Sequence, residues 1–415
     1  VLSMKGFNRK EGQLFIDDVS LKDIAKKFGT PVYVYSANKL KENLNNYVSS
    51  VRKEDKVCYS VKSNSNIHIL SLLSELGSGF DVVSGNELRR CLEAGAKPED
   101  IVFSGVGKTK EEIRLAISAG IFSINIESEE ELERIINISK DLKKQAECTI
   151  RINPDLSSES HPYIQTGLKT SKFGVLKEKV DSMARKASES GSVNLKGIAS
   201  HVGSQIFDKE LILENLNLLI EISTHLTKQG HNLRYLDLGG GFGISYQEEK
   251  ELKIDEVLTE IISVLEPLNL NLILEPGRSI SGNAGVLLSK VEYLKKTPDL
   301  NFAVIDSGMN DFLRPSLYQA WHDISVVETK DKKELFYKVV GPVCESGDTF
   351  GEERLLSLDE NSILAIHDAG AYGHAMSSNY NSRLKSSEIL IEDEEIKVIR
   401  RRETFDDLLR QERDV

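Results

Sequence analysis

From about residue 55 to residue 280 the chain repeats one pattern: a short apolar, β-branched run, a polar or glycine-rich corner, then a stretch with helical spacing. The apolar runs are Val57–Val61, Phe80–Val83, Ile101–Ser104, Phe122–Ile126, Cys148–Ile152, Gly197–His201, Tyr235–Leu238 and Leu272–Leu274. Runs that are continuous rather than alternating are expected of parallel strands buried on both faces. Between them, Glu111–Ala119 and Leu211–Leu226 read as helices. Ser128 with Glu131 reads as a capping box ahead of an apolar stripe at Leu132, Ile135 and Ile136. Eight strand–helix units in roughly 225 residues fit an α/β fold of the (β/α)8 barrel type better than an open doubly wound sheet. The polar residues favour the same choice. Lys62, Ser84-Gly85, Ser104-Gly105, Asn125, Arg151–Asn153, His201, Gly239–Gly243 and Glu275 each fall at or just past the end of a run. Barrels build their sites on that face, whereas an open sheet gathers such residues at one switch point.

After about residue 285 the rhythm changes to short strands and turns with little helix. The runs are Val286–Tyr293, Phe302–Ile305, Ile324–Val327, Phe336–Val340, Ile363–Ile366, Ile389–Ile391 and Ile396–Ile399. Leu14–Ile16 and Val32–Tyr35 read as strands flanking a helix over Leu21–Phe28, so the N-terminal segment is expected to pair with this region. The expected organisation is a barrel over residues 36–280 and a second, mainly β domain built from 1–35 and 281–415.

The 415 residues carry 53 Lys and Arg against 65 Asp and Glu, a formal charge of −12. An acidic surface argues against nucleic acid or an anionic membrane as partner, because phosphate binding needs a positive field. No apolar run approaches the ~20 residues of a membrane span. Val1–Arg9 has no apolar leader core, which adds to the expectation of a cytoplasmic chain. Cys58, Cys91, Cys148 and Cys344 are widely separated and make no C-x-x-C pair. Neither a disulfide framework nor a metal site is expected, and the setting is a reducing one. The basic run Arg400–Arg402 is too short for a nucleic-acid patch and reads as a solvated strand edge.

Two motifs mislead. Gly105-Val106-Gly107-Lys108-Thr109 looks like the end of a phosphate-binding P-loop, but the required first glycine falls at Val102, inside a strand. Gly239-Gly240-Gly241-Phe242-Gly243 has Ile244 where a dinucleotide fingerprint needs its last glycine. What survives there is a glycine loop suited to wrapping an anion, with a plain tight turn as the alternative. Lys62 stands at the mouth of the first barrel strand, where a mostly buried lysine loses proton affinity and can form a Schiff base; a surface lysine is the competing reading. Glu275 and Arg278 place a carboxylate beside a guanidinium, for a ring nitrogen and a carboxylate respectively, or for each other. His201 offers a flat imidazole, or a core histidine. On one barrel face these four features make up what a pyridoxal phosphate cofactor requires: an imine, a ring stack, a phosphate cradle and a pyridinium partner.

The order Tyr59-x-x-Lys62-x-Asn64, Phe80-Asp81-x-x-Ser84-Gly85-x-Glu87-Leu88, His201-Val202-Gly203-Ser204, Gly239-Gly240-Gly241-x-Gly243 and Glu275-Pro276-Gly277-Arg278 resembles the fold-type III pyridoxal phosphate-dependent decarboxylases. Leu313–Tyr318, Cys344–Asp348 and Ala369–Gly373 extend the resemblance, most closely to the branch acting on diaminopimelate. The resemblance implies decarboxylation of meso-2,6-diaminopimelate to L-lysine by a pyridoxal 5′-phosphate enzyme. Its nearest alternatives are a same-fold decarboxylase of ornithine, arginine, a D-amino acid or carboxynorspermidine, and a non-catalytic pyridoxal phosphate-binding homologue. The resemblance assigns Lys62 to the cofactor imine, Asp81 and His201 to the cofactor's surroundings and Glu275 to its pyridine nitrogen. Ser204, Gly240, Gly241, Gly277, Arg278 and Tyr372 fall to its phosphate. Arg278, Arg314, Tyr318 and Tyr372 are implied to hold the substrate's distal carboxylate and Glu345 its ammonium. Cys344 is the implied acid. In such enzymes Cys344 and Glu345 would reach the site from a second subunit, so a homodimer is implied.

Overall fold

The computed structural model describes residues 7–156 and 171–413, so of the segment read for a leader only Phe7–Arg9 lie within the described residues. The chain divides into two compact units: one of residues 7–42, 245–249 and 280–413, the other of residues 43–156, 171–244 and 250–279.

In chain order the first elements are β1 (Phe7–Lys10), β2 (Gln13–Ile16), β3 (Val19–Ser20), α1 (Leu21–Phe28), β4 (Val32–Ser36) and α2 (Ala37–Val48). The barrel strands are β5 (Lys56–Ser60), β6 (Gly79–Val82), β7 (Ile101–Phe103), β8 (Ser123–Ile126), β9 (Ala146–Ile152), β10 (Val193–Ser200), β11 (Tyr235–Asp237) and β12 (Asn271–Leu274). Helices α3 (Ile67–Glu75), α4 (Gly85–Glu93), α5 (Lys110–Ala119), α6 (Glu129–Leu142), α7 (Val180–Ser190), α8 (Lys209–Lys228) and α9 (Ile254–Leu265) alternate with them. The rest of the chain gives α10 (Arg278–Ser281), β13 (Gly285–Lys296), β14 (Asn301–Ile305), α11 (Arg314–Tyr318), β15 (Ile324–Val326), β16 (Leu335–Val340) and β17 (Thr349–Leu356). It ends with β18 (Ile363–Ile366), β19 (Ser387–Glu392), β20 (Glu395–Arg400) and α12 (Phe405–Arg413).

β5 to β12 close a parallel eight-stranded barrel in sequence order, the fold the apolar runs imply. Cys58, Val102, Phe122 and Ile273 are buried together, with Tyr235 packed against them. Each fully buried side chain of this size contributes roughly 1.5–3 kcal/mol. At α5 a complete capping box forms between Thr109 and Glu112. The box expected at Ser128 is only half made. Ser128 accepts from the Glu131 amide, but the Glu131 carboxylate takes the Glu127 N–H and the Lys108 ammonium. A buried cation is a stronger attraction for a carboxylate than the cap amide.

The second unit is a mainly β domain. Its large sheet runs β17-β16-β14-β13-β4-β19-β20, with β18 pairing both β13 and β15. Val34 lies opposite Val286 on one side and Ile389 on the other. With Val32, Leu288 and Ile391 they bury against Leu21 and Ile24 of α1, so the N-terminal segment does supply a strand and a helix to this core. Arg400–Arg402 is not a plain solvated edge. Arg400 ends edge strand β20 paired with buried Glu388, Arg401 pairs with Asp407, and Arg402 donates to the Pro31 carbonyl. Among the described residues no helix is long and apolar enough to cross a membrane.

Candidate active site

Strand alternation and barrel closure bring polar side chains on or just past all eight barrel strands to the C-terminal mouth. β5 ends at Ser60, and Lys62 follows on a single 3-10 turn, Val61–Ser63. Lys62 is not in the apolar pocket that its position suggested: its side chain is 41% exposed and its Nζ lies 3.7 Å from Asp81 Oδ2. Asp81, on β6, is buried and accepts from Ser60 Oγ at 2.7 Å, while its Oδ1 has no hydrogen-bond partner among the described residues. Held so, the carboxylate faces the ammonium.

Beyond Asp81 lies a carboxyl pair, Glu275, which the strand-end pattern singled out, and Asp237, which it did not. Asp237 ends β11 and Glu275 follows β12. Asn125, on β8, donates from one nitrogen to Asp237 Oδ2 at 3.1 Å and to Glu275 Oε1 at 3.4 Å, and accepts from Thr149 of β9. Ser104 adds a bond to Glu275 Oε1 at 3.3 Å. Burial, then the negative charges of Asp237 and Asp81, push the Glu275 carboxyl well above the usual range. Burial also pushes Asp237 up, to about 6, against the opposing bonds from Gly239, Glu275 and Asn125. The two therefore share a proton, which Glu275 donates to Asp237. Glu275 and Arg278 turn to different partners, since Arg278 donates to Ser204 Oγ at 3.1 Å.

The glycine loop is tied to this pair at both ends. The Gly239 amide donates to Asp237 Oδ1 at 2.9 Å, and the Glu275 amide donates to the Gly239 carbonyl at 2.8 Å. The Gly240 amide donates to His201 Nδ1 at 3.3 Å, so the loop is not a row of bare amides. That bond requires an unprotonated Nδ1. Burial, then the positive charges of Lys62 and Arg151, lowers the His201 pKa well below the ordinary value, so the ring is neutral. A Cβ on Gly240 would stand 2.1 Å from the Glu275 carbonyl oxygen. One on Gly241, whose φ is +101°, would stand 2.3 Å from that of Gly203. The Gly277 position is closed by Ser60 and Ser63. Lys108, the P-loop mimic, is buried and spends its ammonium on the Gly105 and Asn125 carbonyls and Glu131. It is a structural cation.

The remaining predicted residues lie on the β unit. Arg314 opens α11 and stacks over the rings of Tyr246 and Tyr318, at 5.2 and 5.8 Å. Cys344 is exposed on a turn whose Glu345 accepts from Tyr380. Asp348 pins that turn by accepting the Met309 and Val343 amides, each at 2.7 Å. Ser316 of α11 donates to the Gly347 carbonyl, which ties Arg314 and the Cys344 turn to one local frame. Tyr372 stands on the 368–373 turn at a φ of +56°.

Residues 37–282 match the family described as "Pyridoxal-dependent decarboxylase, pyridoxal binding domain". A diaminopimelate decarboxylase of Pseudomonas aeruginosa is 42% identical over 406 residues, covering 98% of each chain. One from Aquifex aeolicus is 43% identical over 399 residues, covering 96% of this chain and 95% of the relative. The crystal structure of Helicobacter pylori diaminopimelate decarboxylase, complexed with L-lysine, superposes with a TM-score of 0.91 at 42% identity. It covers 95% of this chain and 99% of that one.

Proposed function

The chain belongs to the pyridoxal-dependent decarboxylase family and, within it, to the diaminopimelate decarboxylases; from that membership we propose that it converts meso-2,6-diaminopimelate to L-lysine and carbon dioxide with pyridoxal 5′-phosphate as cofactor. The residues of the barrel mouth fit that group. A protonated ring nitrogen beside Glu275 supplies the positive charge that lets both Glu275 and Asp237 ionise. The Gly239–Gly241 loop, where a Cβ would collide with backbone, lets main chain close around a phosphate. The bound cofactor supplies an electron-withdrawing ring that takes up the electron pair left by departing carbon dioxide.

The protein's own groups do the rest. Lys62 is the amine that would hold the cofactor covalently, and Asp81, 3.7 Å from its Nζ, would pair with it as a free ammonium. The neutral His201 ring would lie against the cofactor ring without adding a like charge to it. Ser204, Gly240, Gly241, Gly277, Arg278 and Tyr372 bind the phosphate. Arg278, Arg314, Tyr318 and Tyr372 hold the distal carboxylate and Glu345 the distal ammonium. A substrate without that carboxylate would leave guanidinium groups unpaired, a penalty on the order of several kcal/mol. Cys344 delivers its proton to the carbon that lost carbon dioxide and is reprotonated from solvent. Cys344 and Glu345 act in the site of a second subunit, so the active species is a cytoplasmic homodimer.

The observation that carries this reading is the Glu275–Asp237 carboxyl pair, bridged by one Asn125 nitrogen and joined by the Gly239 amide and carbonyl to the glycine loop. The purified protein is expected to absorb in the visible, and borohydride is expected to fix the label on Lys62. Carbon dioxide release should favour meso-diaminopimelate over L-ornithine and D-lysine; preference for either of the latter two overturns the substrate assignment.

A further inference from the structure

A buried imidazole stands behind Arg314. His322, eight residues on, has no exposed surface and lies in the stretch between α11 and β15. Its Nε2 accepts from Arg314 Nε at 3.3 Å, and its Nδ1 lies 2.9 Å from the His367 carbonyl oxygen. A carbonyl can only accept, so Nδ1 carries the hydrogen and Nε2 presents a lone pair to the guanidinium. Two rings fix the imidazole plane edge-on, Phe312 at 4.6 Å and Tyr246 at 4.9 Å between centroids. Tyr246 also carries the Arg314 guanidinium on its face. Arg314 is thus held through its inner nitrogen and by the rings of Tyr246 and Tyr318. The two terminal nitrogens, the pair that meets a carboxylate with two parallel bonds, keep a set direction.

We infer that His322 is a positioning residue for substrate selection: it orients Arg314 for the distal carboxylate without touching substrate. The inference rests on the reading of Arg314 given above. It assigns a function to a residue that carries no motif and that a local reading would leave as a core histidine.

The test compares two variants of the cofactor-loaded enzyme that separate the two hydrogen bonds. His322→Asn keeps a donor near the Nδ1 position and removes the acceptor facing Arg314; His322→Gln keeps an acceptor near Nε2. His322→Asn is expected to raise KM for meso-diaminopimelate about tenfold, equivalent to ~1.4 kcal/mol, with kcat within about twofold. His322→Gln is expected to restore KM to within about twofold of wild type. The Kd of L-lysine, which has a carboxylate, should rise with KM. The Kd of 1,5-diaminopentane, which has none, should not move. A purely structural histidine predicts the reverse pattern: lower yield or kcat in both variants, with unchanged KM and ligand selectivity. Should the Asn variant fail to fold, the Gln variant alone decides, because a tenfold rise in its KM overturns the inference. Arg314→Lys separates the two levels of the argument. If it leaves KM unmoved, the assignment of Arg314 to the carboxylate fails. If it raises KM while His322→Asn does not, only the positioning role fails.

Discussion

Gly241→Ala puts the proposed phosphate cradle under the most direct strain. The added Cβ would stand 2.3 Å from the Gly203 carbonyl oxygen and 2.8 Å from Ile206 Cδ1, at a backbone φ of +101°. Ordinary carbon–oxygen contact begins near ~3.2 Å, so one segment must retreat by roughly 0.9 Å. The retreat is not free. Gly241 O accepts from the Ile206 amide at 2.8 Å, and the Gly243 amide donates to Ile206 O at 3.1 Å, so the loop and the 203–206 segment move together or break these bonds. Backbone strain of ~1–3 kcal/mol and overpacking of ~1–3 kcal/mol add to a cost of ~2–6 kcal/mol. Part of that cost falls on the apoprotein and part on the bound state. Thermal melting of the apoprotein should drop by several degrees, at ~2–4 °C per kcal/mol for a unit of this size. Titration of apoprotein with pyridoxal phosphate, followed by absorbance, should show affinity reduced at least tenfold, ~1.4 kcal/mol. Gly107→Ala is the control: that glycine belongs to the P-loop mimic, has no positive φ, and a Cβ there meets nothing within 4 Å. Unchanged melting and unchanged cofactor affinity in Gly241→Ala would refute the cradle.

Asp237 supplies a pH signature. Its pKa is raised on folding from the ordinary carboxylate value to about 6. The folded apoprotein therefore binds this proton more tightly than the unfolded chain, so the stabilisation is complete below ~4 and is lost as pH rises through about 6. The difference in stability between wild type and Asp237→Asn should change by about 2–3 kcal/mol across that window in urea unfolding of apoprotein, and shrink when cofactor is bound; a flat difference would refute the proton-sharing pair. Asp348→Ala leaves the Met309 and Val343 amides without their acceptor and should cost ~2–5 kcal/mol by denaturant unfolding; wild-type stability would show that the turn is held otherwise. Cys344→Ala should keep the cofactor spectrum while turnover falls by roughly 10²–10⁴-fold, and near-normal turnover would mean another group gives the proton.

What could be read along the chain follows a physical division. Parallel strands buried on both faces leave continuous apolar runs, so the eight barrel strands stood out and strand-end polar residues marked the mouth. β17 (Thr349–Leu356) left no such run because it is an edge strand interrupted by three consecutive charged residues, Glu352–Arg354. Lys62 was legible as a strand-end lysine, but its environment was not: the half-exposed setting beside Asp81 depends on the β5–β6 register, Ser60 opposite Asp81. The same holds with greater force for Asn125, Asp237 and Glu275. They lie 112 and 150 positions apart, and only barrel closure places one amide between two carboxyls. Local spacing reports what a single element buries, while pKa and hydrogen bonding at a site are set by elements that meet only after folding. His322 shows the consequence most plainly. Along the chain it is a histidine eight residues past Arg314, and its tautomer is set by a carbonyl 45 residues farther on. A residue whose action passes through a long-range backbone bond leaves no periodicity to find, so polar groups that orient recognised site residues are where the folded structure adds most to the sequence.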